Sequence, residues 1–163
     1  MNYWLMKSEP TCFSLDDLEH APGGISSWDG VRNFQARNLL RDEIKAGDGV
    51  LFYHSSCAEP AIVGLAEVVR GGYPDHTAQD PRSDHYDPKA SQANPIWYMV
   101  DVSFRVSLPC PLTRDDLRHH PVLQQMMVLR RGSRLSVQPV TADEWRAVLA
   151  LAGVRDPLMP QGE

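Results

Sequence analysis

Only three cysteines occur in 163 residues, and Cys12, Cys57 and Cys110 stand far apart, in none of the paired spacings that hold zinc. This argues against a disulfide scaffold or a structural metal and fits a reducing compartment. Long apolar runs are missing too. No stretch approaches the length that spans a bilayer, and the opening MNYWLMKSEP lacks the charged, apolar and small-residue regions of a secretion signal. The expectation is a soluble, intracellular, cytoplasmic protein with no membrane partner. Positive charge is scarce: 16 Lys and Arg stand against 21 Asp and Glu, a formal net charge of -5. Gripping a long phosphate backbone takes many Lys and Arg contacts, so any contact with nucleic acid should be local. Neither Gly23-Gly24 nor Gly71-Gly72 sits in the strand-to-helix context of a phosphate-binding loop, which disfavours nucleoside triphosphate chemistry. No cofactor is implied.

What is present suits one compact domain. With 42% hydrophobic and 23% charged residues, the chain can bury a sizeable core, and the pattern reads as a single domain over 1–153 with a C-terminal tail over 154–163. Alternation from Tyr3 to Ser8 predicts a short strand, with Trp4 and Met6 facing opposite to Tyr3, Leu5 and Lys7. Ser14 with Asp17 forms a capping box for a short helix that Pro22-Gly23-Gly24 ends. WDGVRNFQARNLLRDEIKAGD predicts a turn at Asp29-Gly30, then a helix with Ala36, Leu39, Leu40 and Ile44 inward and Gly47 as its C-cap. VLFYHSS and AIVGLAEVVR predict a hairpin. Gly71 to Pro95 predicts one long working loop. Strict alternation from Ile96 to Val106 predicts the clearest strand. Thr113 with Asp116 and Thr141 with Glu144 are two more capping boxes, and RLSVQPV predicts a last strand. The order favours an α+β fold, a curled, antiparallel or mixed sheet of about five to six strands with flanking α-helices.

Several constellations bear on function. His54 three residues before Cys57 could form a nucleophile pair, but no nucleophile elbow surrounds it. Asp75, His76, Asp80, Asp84, His85 and Asp87 are metal-ligand types without a spacing that fixes their geometry. An enzyme acting on a small nucleotide or nucleobase, and a protein-interaction module, are the alternatives that follow from these features. Trp28 stands outside any periodic core pattern, where it either walls a pocket or packs under the next helix. Lys7 and Ser8, His54 and Ser55, and Arg134 and Ser136 fall at strand ends that can converge on a barrel mouth.

WLMKSEP, WDGVRNFQARN, LFYHSS, IVGLAEV, NPIWYMVDV and RLSVQPV, in that order from Tyr3 to about Val148, resemble the EVE domain, a PUA-like barrel family related to YTH and ASCH domains. The resemblance implies non-enzymatic capture of a modified base, turned out of its DNA or RNA strand, in an aromatic pocket. It makes Trp28 a cage wall and assigns the base edge to Ser8, Asn33, His54 and Ser55. Trp97 and Leu135 join the base site, with Trp97 equally placed for the core. Lys7, Arg32, Arg37 and Arg134 would meet phosphates, with Arg41, Lys45, Arg130 and Arg131 as neighbouring cations. Tyr73, Tyr86 and Trp97 are the candidates for a second cage wall. The implied partner is nucleic acid carrying a modified base.

Overall fold

The alternation at the N-terminus forms β1 (Tyr3–Ser8), which sends Trp4 and Met6 into one apolar cluster and Leu5 into another. Side chains alternate between faces along any strand, so a strand covered on both faces carries apolar residues at consecutive positions, as Trp4, Leu5 and Met6 are here. β3 (Gly49–His54) lies parallel to β1, with Ser8 opposite His54, and divides its side chains likewise: Val50 and Phe52 on one face, Leu51 and Tyr53 on the other. β4 (Ala61–Pro74) pairs antiparallel with β3, and β5 (Tyr98–Thr113) with β4. The short β2 (Ile25–Ser27) adds to β5, and β6 (Val137–Val140) adds to β1. The computed structural model describes residues 1–160. Among them the sheet has six strands in the order β2-β5-β4-β3-β1-β6.

This is the expected α+β fold with a curled mixed sheet and flanking helices, but the barrel stays open. β2 and β6 are the two sheet edges and do not pair with each other. Register shifts recur along the β4–β5 ribbon, from Ile62/Gly64 to Arg70/Tyr73, and such irregularities bend a strand and raise its twist.

All three capping boxes form. They open α1 (Leu15–Glu19), α3 (Arg114–Arg118) and α4 (Ala142–Ala152) at Ser14, Thr113 and Thr141. α4 lays Trp145, Val148 and Leu149 on one face of the sheet, and α1 lays Leu15 and Leu18 on the other. Leu15 needs Gly64: a Cβ there would meet Leu15 Cδ2 at 2.5 Å and the Val106 carbonyl at 2.7 Å.

Four boundaries differ from the sequence expectation. The helix after the WDG turn is only α2 (Phe34–Asn38), followed by a single π turn at Leu39–Glu43. Gly47 does not cap it, because Ile44 is already extended and the Asp48 carboxylate accepts from the Lys45 amide at 2.9 Å. β4 runs on through Gly71 and Tyr73 to Pro74, which shortens the long loop. Ile96 is no strand residue; it has φ 62, a strained setting for a β-branched side chain, and β5 opens at Tyr98. Of RLSVQPV, only Val137–Val140 is strand. The segment expected as a tail begins packed, with Asp156 accepting from the Trp145 indole at 3.0 Å; residues 161–163 of it lie outside the described residues. No helix among the described residues is long and apolar enough to cross a membrane.

Candidate functional site

The open seam of the sheet holds a cleft of about 630 Å³. One wall is the end of β1, with Lys7 and Ser8, and the Phe13 turn that follows; the other is the end of β2 with Trp28 and the WDG turn. Ser136, next to edge strand β6, and His85, from the long loop, complete the rim. Failure of β2 to pair with β6 thus leaves a gap whose sides carry polar strand ends over an apolar floor. Four expected site residues come together here: Lys7, Ser8, Trp28 and Arg32.

Trp28 belongs to the core and also lines the cleft. It is 7% exposed, lies edge-on to Phe52 at 5.3 Å between ring centres, and stands perpendicular to Phe13 at 6.3 Å. Its backbone N–H donates to the Val100 carbonyl at 2.7 Å, which extends the β2–β5 pairing by one residue. The other tryptophans donate their indole N–H to carboxylates: Trp4 to Asp48, Trp97 to Asp87, Trp145 to Asp156. Among the described residues the Trp28 indole N–H has no protein acceptor, and no buried polar side-chain atom is left unpartnered. That N–H is therefore solvent-accessible on a residue that walls the cleft, and is available to a ligand.

A buried clamp holds this wall. Asp75 is 0% exposed and accepts from the Gly30 amide at 2.9 Å, Arg32 at 3.0 Å, and the Thr77 amide and hydroxyl at 2.9 and 2.6 Å. Burial works against its charge, yet the bonds from Thr77, Gly30 and Arg32 outweigh that and hold the carboxyl below its usual value. Arg32 also donates twice to the His85 carbonyl, at 3.0 and 2.7 Å, and so draws the long loop to the cleft. Gly30 has φ 78, a left-handed conformation that favours glycine, and a Cβ there would meet the His85 ring at 2.7 Å and displace that exposed side chain.

The other expected residues are spread around this cleft. Asn33 caps α2 through its side-chain oxygen, which accepts from Ala36 at 3.0 Å, and lines a shallower cleft with Arg134 and Leu135. Arg37 donates to the Ile96 carbonyl at 2.6 Å and stacks over Phe34. Trp97 is buried between Phe34, stacked on it at 4.8 Å, and the guanidinium of Arg32. Tyr73 bonds to Asp101 and lies under Arg70, and Tyr86 is exposed on the loop. Neither lines the cleft, where Phe13 is the second aromatic ring and His85 the loop's contribution. Sequence reasoning missed Phe13, which carries no periodicity, and took His85 only as a metal-ligand type in a stretch with no motif, not as a cleft residue. Ser55 lines a separate cleft beyond Lys7.

The EVE domain family matches residues 2–151. Thymocyte nuclear protein 1 of Danio rerio is 44% identical over 171 residues, which cover 95% of this chain and 73% of that protein. A crystal structure from Pseudomonas putida matches with TM-score 0.87 and 44% identity over 92% of this chain and 99% of its own. Human THYN1, solved in complex with 5-methylcytosine-containing DNA, matches with TM-score 0.87 and 39% identity over 96% of this chain and 100% of its own. The chain belongs to the EVE domain family.

In this EVE domain the His54 and Cys57 pair does not form a nucleophile. The His54 Nε2 accepts from the Leu15 amide at 3.1 Å, while the Cys57 thiol faces the His54 carbonyl at 3.9 Å. His54 thus anchors the start of α1, next to the turn that bears Phe13. The acidic loop does not converge either: Asp80 pairs with Arg82 and Asp87 holds the Trp97 indole. Among the described residues, the side chains that could jointly hold a metal are Asp16, Glu19 and His20, all exposed on and beside α1.

Two outcomes follow. Asp75→Ala removes a carboxylate from four donors and is expected to cost about 2 to 4 kcal/mol in urea denaturation; a loss below about 0.5 kcal/mol would show that the clamp is not structural. Burial lowers the His54 pKa, with the Asp16 charge acting weakly the other way. The unfolded chain then binds this proton more readily than the folded one, so stability falls as pH drops through the ordinary histidine value. Between about pH 7.5 and 5.5 the wild type should lose more stability than His54→Gln, and parallel profiles would contradict this.

Proposed function

We propose that this EVE domain is a non-enzymatic reader of a modified cytosine in DNA, held in the cleft walled by Trp28. The observation that carries the reading is the Trp28 indole, which belongs to the core, lines the cleft and has an N–H with no protein acceptor among the described residues. The complex of the human relative with 5-methylcytosine-containing DNA supports the ligand class. A base stacked in a duplex shows only its edges, so for its face to lie against the indole it must leave the stack. Ser27 supplies a hydroxyl along the cleft, the Ser8 and Ser26 hydroxyls already donate to the Phe13 and Ser27 carbonyls and can only accept, and Glu9 and Asp29 supply carboxylates. A carboxylate accepts from the cytosine exocyclic amine and finds no such donor on thymine, which bears the same methyl group.

The energetics make this a weak, local discriminator. Stacking one base contributes about 1 to 3 kcal/mol, and each hydrogen bond adds about 1 kcal/mol net. Affinity for an isolated base should therefore lie at about 0.1 to 10 mM. The methyl itself contributes about 0.8 kcal/mol, roughly a fourfold preference. Sharper selectivity needs an unfavourable term against the unmodified base.

Because Trp28 is largely buried, Trp28→Ala would cost core packing as well as binding; Trp28→Phe keeps most of the packing and removes the N–H. Fluorescence anisotropy with single-stranded oligonucleotides carrying one 5-methylcytosine, cytosine or thymine is expected to rank them in that order for wild type. Trp28→Phe should weaken the first by about 5- to 30-fold with its thermal midpoint little changed. Unchanged binding would remove Trp28 from the site.

A further inference from the structure

A second cleft, of about 550 Å³, adjoins the first and shares Lys7 with it. Lys7, Arg114, Arg118, Arg130 and Arg131 line it, and no carboxylate does. Five of the 16 Lys and Arg of a net acidic chain therefore converge on one concavity. Arg118 pairs with exposed Asp115 and Arg130 reaches the Gln125 carbonyl, whereas Arg114 and Arg131 make no ion pair among the described residues. Ser55, Ser56 and Ser133 add hydroxyl groups, and Tyr53, Val128 and Leu129 contribute apolar surface. Burial first, and the nearby Arg114 charge second, lower the Lys7 pKa. Cations crowded in this way repel one another until an anion enters.

The two clefts are continuous in a way that suits a chain of phosphates. The Lys7 ammonium donates to the Ser133 carbonyl at 3.4 Å, and the short segment from Ser133 to Ser136 runs from the rim of the basic cleft to that of the Trp28 cleft. Hydroxyls and guanidiniums without carboxylates are the donor set that phosphodiester oxygens select.

We propose that the basic cleft holds backbone phosphates of the same DNA strand whose modified base occupies the Trp28 cleft, with Arg114 and Arg131 as its main contacts and Lys7 at the junction. The assignment rests on the base-reading proposal above, and it places the strand's path toward α3 and the segment before β6. Arg32 and Arg37, expected at the phosphates, already have protein acceptors, whereas Arg114 and Arg131 keep their donors open.

The test is the salt dependence of binding to a single-stranded oligonucleotide with one 5-methylcytosine, for wild type and for the double variant Arg114→Gln/Arg131→Gln. Losing two phosphate contacts should reduce the slope of log affinity against log salt by about 1.4 and weaken binding about tenfold near 0.15 M salt. The preference for 5-methylcytosine over cytosine, and the chemical-shift changes caused by free 5-methyldeoxycytidine, should stay as in wild type. An unchanged slope with affinity within about twofold would overturn the proposal. If wild type showed no preference among bases, the base reading would fail instead, and the slope would still decide whether this cleft holds the backbone.

Discussion

The carboxylate of Asp75 is the constraint on which the candidate site depends. It sits fully buried at the end of β4 and joins three parts of the chain that share no regular pairing: the WDG turn through Gly30, the guanidinium of Arg32, and its own loop through Thr77. An unpaired buried charge is costly, so this geometry persists only while all the donors stay in place. Arg32 carries the constraint outward to the His85 carbonyl and thereby positions the loop that rims the cleft. The Trp28 wall, the Gly30 turn and the His85 rim are consequently one mechanical unit.

That unit closes over a gap left by the sheet. A fully paired barrel would have filled the space between β2 and β6 with ladder hydrogen bonds; the open seam leaves polar strand ends facing a cleft instead. Edge strands invite unwanted pairing, and here both are very short. The charge distribution follows the same economy of contact. The chain is acidic overall, and five of its 16 Lys and Arg gather in the concavity beside the cleft, which suits a few local phosphate contacts rather than a long track along a strand.

Much of the scaffold was legible in the sequence because its signals are local. β1 and most of β5 declare themselves by alternation, β3 and the core of β4 by two apolar runs joined by a short link, and Ser14, Thr113 and Thr141 announce three helices by side chains that cap the backbone three residues on. Where tertiary contacts decide, the reading stopped short. β2 is three residues long and exists by pairing with β5; the π turn after α2 and the early end of that helix depend on Asp48 and on how Ile44 enters the core. The site was legible in part. Trp28 stood out by its place before a turn and Lys7 and Ser8 by theirs at a strand end, the resemblance of their motifs gave Trp28 and Ser8 their expected roles, and all three line the cleft. Phe13 and His85 reach the cleft only through the fold, and Trp97, a motif residue, turned out to be a packed support under Phe34 and Arg32.

The central claim is that a modified base lies against the Trp28 indole. It is tested most directly by intermolecular NOEs from the 5-methyl protons of a single 5-methylcytosine in a bound oligonucleotide. The account predicts cross-peaks to the Trp28 ring protons, and to Phe13 beside it. Cross-peaks confined to residues outside this cleft, or a methyl group that keeps only the contacts of its stacked neighbours in the strand, would contradict it.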